Sequence, residues 1–219
     1  METINIFVGT SVDDEDREAE ITLEYSLRKY SSSPIKIHYL KNKEEGIMGE
    51  FDSSQWATPF AGMRWAIPEY CNFKSRAIYM DVDQLNLRDI TELYTLDLNN
   101  KPFLSRKARS CVILFDCAAC ENIFAPISEQ KQQPSYHRTN YDKFDIQRGD
   151  LDTRWNALDN VDFVYSNNIL LEDAWHIHFT EVKWQPWKPS WFDEPFEDHP
   201  RQDLVELWKK HREEAFSIL

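Results

Sequence analysis

The pattern of apolar and polar residues predicts a β-α-β opening for the chain. Residues 4–9, INIFVG, form an apolar, β-branched run before a Gly-Thr-Ser turn, which is typical of a central strand. Residues 35–40, IKIHYL, alternate as a second strand. Between them, four residues share one stripe of a helix: Ala19, Leu23, Leu27 and Tyr30. This order of elements is that of an α/β sheet.

Four further strands are predicted downstream. Residues 77–80 (AIYM) and 110–116 (SCVILFD) are apolar runs typical of buried strands, and 161–166 (VDFVYS) and 174–180 (AWHIHFT) are two more candidates. Residues 128–150 are mostly polar, which predicts a long loop. These elements favour one mixed sheet flanked by helices.

The last predicted element is a helix over residues 203–216. Its apolar positions follow helical spacing, so we expect it to dock on the sheet. The chain shows no internal repeat and no linker. We therefore expect a single domain over residues 1–219.

Charge and composition exclude several classes of protein. The net charge of −13 repels polyphosphate backbones and excludes a nucleic-acid partner. No apolar run approaches the roughly 20 residues of a transmembrane helix, and the amino terminus begins directly in a strand pattern, so we expect a cytoplasmic location. Cys117 and Cys120 lack further metal ligands nearby and are expected to be reduced, packed thiols.

Two aspartates follow the strand at residues 77–80. Side chains two residues apart in an extended chain face the same way, so Asp81 and Asp83 point to one place. Two carboxylates held together favour a cation between them, and a hard divalent ion such as Mg²⁺ or Mn²⁺ prefers oxygen ligands. Open α/β sheets bind ligands beyond the carboxyl ends of their strands. The pattern predicts a metal site that holds phosphates, with helix capping or turn formation as the alternative.

The order of motifs resembles that of the retaining GT-A glycosyltransferases of the glycogenin and bacterial galactosyltransferase type. INIFVGT resembles their first strand, and residues 58–94 resemble their segment with an arginine, a proline, a strand and the D-x-D motif. Residues 105–117 (SRKARSCVILFDC) correspond to the next strand. WNALDN at 155–160 and HFTEVKWQPW at 178–187 are similar to their downstream segments.

The resemblance implies roles for individual residues. Asp81, Asp83 and His178 would hold Mn²⁺ or Mg²⁺ against the diphosphate of a nucleotide sugar. His176 is the competing histidine, expected to be a packed residue instead. Six residues would contact the nucleotide sugar: Gly9, Thr10, Arg64, Val82, Lys183 and Gln185.

The resemblance also implies the reaction. It is transfer of a hexose from a UDP-sugar, UDP-glucose or UDP-galactose, to a glycan, lipid or protein acceptor, with retention of anomeric configuration. No residue is an obvious covalent nucleophile; Asp152 and Asp116 are the candidate catalytic carboxylates, although each could instead cap a helix or end a strand.

Two other functions stay open from the sequence. A metal-dependent nucleotidyltransferase also uses carboxylates, but it needs a glycine-rich triphosphate loop, and the five glycines of this chain are not clustered. A non-catalytic carbohydrate-binding protein would use the Trp-rich segment with Trp184, Trp187 and Trp191.

Overall fold

The structure is a computed structural model that describes residues 3–46, 48–190 and 192–218. The chain divides into two compact units that alternate along the sequence. Among the described residues, unit 1 comprises 3–12, 33–81 and 91–151, and unit 2 comprises 13–32, 82–90 and 152–218. The expectation of a single domain stays a prediction.

The elements alternate in type along the chain. The strands are β1 (Ile4–Gly9), β2 (Ile35–Leu40), β3 (Arg76–Asp81), β4 (Gln84–Asn86), β5 (Phe103–Arg106), β6 (Arg109–Asp116), β7 (Gly149–Asp150), β8 (Ala157–Leu158) and β9 (His176–His178). The α-helices are α1 (Arg17–Tyr30), α2 (Ile67–Tyr70), α3 (Ile90–Tyr94), α4 (Ile127–Gln130), α5 (Tyr136–Thr139), α6 (Tyr141–Gln147) and α7 (Gln202–Phe216). Short 3₁₀ helices span Met63–Ala66, Thr153–Asn156, Leu171–Asp173 and Val182–Trp184, and a π-helix spans Asp159–Tyr165.

Unit 1 contains a six-stranded sheet in the order β2-β1-β3-β6-β5-β7. Three of its five strand pairs are parallel, and both pairs that involve β6 are antiparallel. The central strands β1 and β3 are buried on nearly every residue, which explains their continuous apolar runs. Because these two strands are parallel, with Gly9 opposite Asp81, their carboxyl ends lie at the same edge of the sheet.

Unit 2 contains a three-stranded sheet in the order β4-β9-β8. Strand β9 pairs antiparallel with β4, and this register places Gln84 opposite His178. Helix α7 packs against this sheet, because Leu204 and Trp208 belong to the same buried cluster as Leu85 and Ile177. The last helix therefore packs on the small sheet of unit 2, whereas the sequence analysis expected a single sheet.

The predicted fold class is confirmed as a mixed α/β architecture with a mostly parallel central sheet. The predicted strands at 4–9, 35–40, 77–80 and 110–116 are confirmed by β1, β2, β3 and β6. The small sheet of unit 2 adds a second sheet to the single one expected. No helix in the described ranges is long and apolar enough to cross a membrane.

Two local predictions are wrong. Residues 161–166 are mostly a π-helix rather than a strand, because side chains there bond the local backbone in place of a strand partner. Asp162 Oδ2 accepts from Leu158 N at 2.7 Å, and Asn160 Oδ1 accepts from Val161 N at 2.6 Å. The polar segment 128–150 carries most of α4 and all of α5 and α6 rather than one loop; its helical turns are anchored by the buried rings of Tyr136 and Phe144.

Candidate active site

In unit 1, Asp81 is the last residue of β3 and is 6% exposed. Arg64 Nη2 donates a hydrogen bond to its Oδ1 at 3.1 Å, and the Tyr79 hydroxyl donates to the same oxygen. Burial raises the pKa of Tyr79 well above its ordinary value, so that its hydroxyl keeps the proton that it donates. The buried carboxylate is thus paired with an arginine seventeen residues earlier in the chain.

Arg64 is itself fixed from several sides. Its Nη1 donates to the Ser110 carbonyl at 2.5 Å and to Ser110 Oγ at 3.2 Å, and its guanidinium lies 4.6 Å from the centre of the Tyr79 ring. Burial alone would lower the pKa of Arg64, but the interactions with Asp81, Tyr79 and Cys111 together outweigh it and raise the pKa. Cys111 Sγ lies within 4.8 Å of a carboxylate oxygen of Asp81. This end of β3 and β6 therefore holds an acid, a thiol and a permanent cation together.

Gly9 and Thr10 lie at the same edge, at the end of β1. A Cβ on Gly9 would approach the Tyr79 hydroxyl oxygen to 2.5 Å and Phe60 Cδ2 to 2.7 Å, so packing alone requires glycine there. Thr10 is buried, and its backbone N–H donates to Leu40 O at 3.3 Å. The contacts of Gly9 and Thr10 with a nucleotide stay predictions.

In unit 2, Asp83 and His178 face each other. His178 lies on β9, is buried, and has Nε2 3.2 Å from Asp83 Oδ1. The loop at Asp83 is held against β9, since Phe179 N donates to the Asp83 carbonyl at 2.9 Å. Asp83 Oδ1 is buried and accepts no hydrogen bond from the described residues. The two predicted metal ligands of this unit are therefore adjacent.

The contact with Asn156 favours one tautomer of a neutral His178. His178 Nδ1 lies 3.1 Å from Asn156 Oδ1 in the amide orientation assigned to that side chain, and this oxygen can only accept. A neutral imidazole then has its proton on Nδ1 and a lone pair on Nε2, directed at a carboxylate oxygen. Two acceptors 3.2 Å apart repel unless a proton or a metal cation lies between them. This donor set suits a divalent metal, and metal-bound histidines typically donate their second N–H in this way.

Gln185 supports the same carboxylate. Its Nε2 donates to Phe179 O at 2.9 Å and reaches Asp83 Oδ2 at 3.4 Å. The side chain is buried, so it acts in this structure as a positioning group for Asp83. Val82, which precedes Asp83, is also buried. Contacts of Gln185 and Val82 with a nucleotide sugar stay predictions.

His176 and Lys183 both have other partners in unit 2. His176 is buried between two amide side chains: its Nε2 lies 2.6 Å from Gln84 Oε1, and its Nδ1 lies 3.3 Å from Asn86 Oδ1. Burial lowers the pKa of His176 to about 3. It is therefore a neutral residue packed between two amide side chains. Lys183 Nζ pairs with Glu197 at 3.0 Å. A phosphate contact by Lys183 stays a prediction and requires it to leave Glu197.

The two candidate catalytic carboxylates form local contacts. Asp152 caps the 3₁₀ helix at Thr153–Asn156 and accepts both Nε and Nη2 of Arg154, at 3.0 and 2.7 Å. Hydrogen bonding by Arg154 lowers the pKa of Asp152. Asp116 accepts from the backbone N–H groups of residues 118 and 119. It pairs in register with Arg76, at the opposite end of β3 from Asp81 and about 16 Å along that strand. The catalytic roles of both stay predictions, and the position of Asp116 weighs against its role.

The tryptophans of the carbohydrate-binding alternative are packed. Trp184 is 8% exposed and donates from Nε1 to Glu197 at 3.3 Å. Trp187 donates to Asp16 at 2.9 Å, and its ring centre is 5.5 Å from that of Trp208. Trp191 lies outside the described residues. The two described rings therefore do not form an exposed sugar-binding platform.

Comparison with known proteins places the fold. No family model matches the chain, and no curated protein matches it. Among solved structures, the chain is similar to the galactosyltransferase LgtC in complex with donor and acceptor sugar analogues, with a TM-score of 0.67, 11% identity and 96% of both chains covered. It is also similar to the glycosyltransferase GlyE of Streptococcus pneumoniae TIGR4, with a TM-score of 0.64 and 15% identity.

The chain has the GT-A glycosyltransferase fold. It aligns over 99% of its own length with GlyE but spans only 64% of that protein. The chain is also similar to a glycosyltransferase involved in the glycosylation of the major capsid of PBCV-1. That similarity covers 82% of this chain and 95% of the other protein, with a TM-score of 0.53 and 16% identity.

The structural roles of two residues at these sites, Tyr79 and Asn156, were not predicted from the sequence. Tyr79 lies two residues before Asp81 on the same face of β3, so strand alternation alone could have identified it. Asn156 was noticed within WNALDN, but its bond to His178 joins residues 22 apart in sequence. Nothing in a single sequence indicates that pairing.

Proposed function

We propose that the protein is a metal-dependent glycosyltransferase that moves a hexose from UDP-glucose or UDP-galactose to a glycan, lipid or protein acceptor, with retention. The observation that carries this proposal is the arrangement of Asp83 and His178 within a GT-A fold. A histidine ring nitrogen 3.2 Å from a buried carboxylate oxygen is an arrangement that a divalent cation stabilises. Retention rests on the sequence resemblance alone.

The chemistry that these residues must support is departure of a nucleoside diphosphate. Bound Mn²⁺ or Mg²⁺ supplies positive charge where the leaving group becomes more negative. Asp83 and His178 would hold the ion, with Asp81 as the third ligand that the resemblance implies. Asn156 keeps the proton of His178 on Nδ1, and Gln185 orients Asp83. Arg64 is a second, permanent cation beside Asp81.

The proposal is tested by UDP release from UDP-glucose and UDP-galactose, with Mn²⁺ or with a chelator. We expect Asp83→Asn and His178→Gln each to lower the rate by about a hundredfold or more, the range found when an electrostatic stabiliser of a transition state is removed. Asn156→Ala should raise the Mn²⁺ concentration for half-maximal rate about 10- to 100-fold, as expected for a group that orients a metal ligand.

Asp173→Asn is the matched control, because Asp173 is an exposed carboxylate of unit 2 outside this arrangement. It should release UDP at the unmodified rate. Rates that do not depend on Mn²⁺, or variants of Asp83 and His178 as active as this control, would contradict the metal assignment. In the absence of acceptor, thermal unfolding with Mn²⁺ and UDP gives an independent readout. A ligand at 100 times its Kd raises the free energy of unfolding by about 2.7 kcal/mol. For a chain of this size, that gain raises Tm by about 5 to 11 °C.

A further inference from the structure

Unit 1 contains a cleft of about 610 Å³ beside the start of β6. One wall is formed by the 3₁₀ helix that carries Arg64, a second by Arg109 and Ser110, and a third by α5 and α6 with His137 and Arg138. Its volume falls in the range of small-molecule sites and is larger than a free phosphate requires.

The charges that line this cleft are mostly positive. Three guanidinium groups line it, from Arg64, Arg109 and Arg138, against one carboxylate, that of Asp142. Arg64 is already paired with Asp81. The side chains of Arg109 and Arg138 have neither an ion pair nor a hydrogen bond with any residue that the structure describes. Both side chains are exposed, so their guanidinium groups are accessible to a ligand in the cleft.

Buried polar atoms lie in the same wall. Arg64 Nε and His137 Nδ1 are buried and have no hydrogen-bond partner among the described residues. Burial and, to a smaller extent, the charges of Arg64 and Arg138 together lower the pKa of His137 to about 4. The cleft therefore combines a positive potential with polar atoms that lack partners. A bound anion would be attracted by that potential and would stabilise these polar atoms.

The cleft is also suited to a sugar ring. The aromatic side chains of Trp65 and Tyr141 line it, and the Trp56 ring lies edge-on to His137 with 6.2 Å between ring centres. Aromatic faces bind the apolar faces of sugars, whereas guanidinium groups bind carboxylates and phosphates through two parallel hydrogen bonds. Through Arg64, the cleft adjoins the carboxylate of Asp81.

From these observations we propose that Arg109 and Arg138 form a binding subsite for an oxyanion, a carboxylate or phosphate, carried by a sugar substrate. This inference rests on the proposed function, since it identifies one of the two sugars that such an enzyme binds as acidic. The anionic group belongs either to the donor, as in a uronic acid, or to the acceptor, as in a sugar phosphate. The chemistry of the subsite is the same in both cases.

Binding is measured first without nucleotide or metal, so that the result does not depend on the proposed function. Glucose 6-phosphate, glucuronate, glucose and inorganic phosphate are titrated at low salt while the His137 imidazole is followed by NMR. We expect both acidic sugars to bind, glucose not to bind, and Arg109→Gln and Arg138→Gln each to weaken binding about tenfold or more. The matched control is Arg28→Gln, which removes an arginine from an exposed helix pair in unit 2 and should change nothing.

The pKa of His137 should also rise when an acidic sugar is bound, because a neighbouring anion favours the charged imidazole. Absence of binding, equal binding to the two arginine variants and the unmodified protein, or inorganic phosphate binding as tightly as glucose 6-phosphate would overturn the proposal. If acidic sugars bind but UDP and Mn²⁺ do not, the proposed function fails and the subsite stands.

The source of the anion is identified by UDP release. A donor subsite predicts that Arg109→Gln lowers kcat/KM for UDP-glucuronate about tenfold or more relative to kcat/KM for UDP-glucose. An acceptor subsite predicts that glucose 6-phosphate, and not glucose, accelerates UDP release, with the acceleration lost in Arg138→Gln. A protein that binds UDP and Mn²⁺ but shows neither effect contradicts a substrate role for the cleft.

Discussion

Removal of Arg64 should destabilise the protein more than removal of any exposed arginine, because it leaves the Asp81 carboxylate buried without its cation. Both side chains of the pair are less than a tenth exposed, at 8% and 9%. Breaking a buried ion pair by deleting one partner costs about 3 to 5 kcal/mol. Arg64→Met, which keeps the length of the side chain, should therefore lower the free energy of unfolding by that amount.

The assay is denaturation by urea, followed by tryptophan fluorescence, with thermal unfolding as a second readout. For a chain of this size the expected fall in Tm is about 6 to 20 °C. Arg28→Gln removes an arginine from a pair that is 51% and 35% exposed, and should cost less than about 1 kcal/mol. The double variant Arg64→Met/Asp81→Leu should recover part of the loss, since it leaves no buried charge behind. A loss in Arg64→Met no larger than that in Arg28→Gln would refute this reasoning.

Two further predictions concern the edge of the central sheet and the end of the chain. Gly9→Ala should lower the free energy of unfolding by about 1 to 3 kcal/mol, because its methyl group would overlap the Tyr79 hydroxyl; unchanged denaturation would show that the strand ends shift freely. Hydrogen bonding by Arg212 lowers the pKa of Glu18, so this pair stabilises the protein above the ordinary glutamate pKa and loses that effect as pH falls through the lowered value. Arg212→Gln should lower the free energy of unfolding by about 1 kcal/mol or less, because both side chains are partly exposed. This difference from the unmodified protein should shrink below about pH 4.5. A difference that grows in acid would contradict the expected direction.

The sequence predicted the large sheet well because its strands are continuous apolar runs. Strands β1 and β3 are buried on both faces, and such strands are recognised without knowledge of their neighbours. The short strands β4 and β9 are only three residues long, so too few positions define their period. The π-helix at Asp159–Tyr165 was missed because its apolar residues alternate like a strand, while its acidic and amide side chains decide its backbone.

The sequence proposed the residues of the candidate site, and their roles stay predictions. The pair Asp81 and Asp83 came from strand alternation, and His178 was preferred to His176 for its spacing to the following QPW in the family resemblance. The partner of Asp81 could not be predicted, because Arg64 reaches it only after the 3₁₀ helix at Met63–Ala66 has packed beside the sheet. Distant pairings of this kind depend on tertiary packing, which a single sequence does not encode in a local pattern.

The most direct test of the central claim is a crystal grown with Mn²⁺ and UDP, with anomalous scattering recorded at the manganese edge. We expect one strong peak bonded to the Asp83 carboxylate and to Nε2 of His178, and its loss in Asp83→Asn crystals grown in the same way. A peak bound elsewhere, or the same peak in the variant, would contradict the assignment of these two residues as metal ligands.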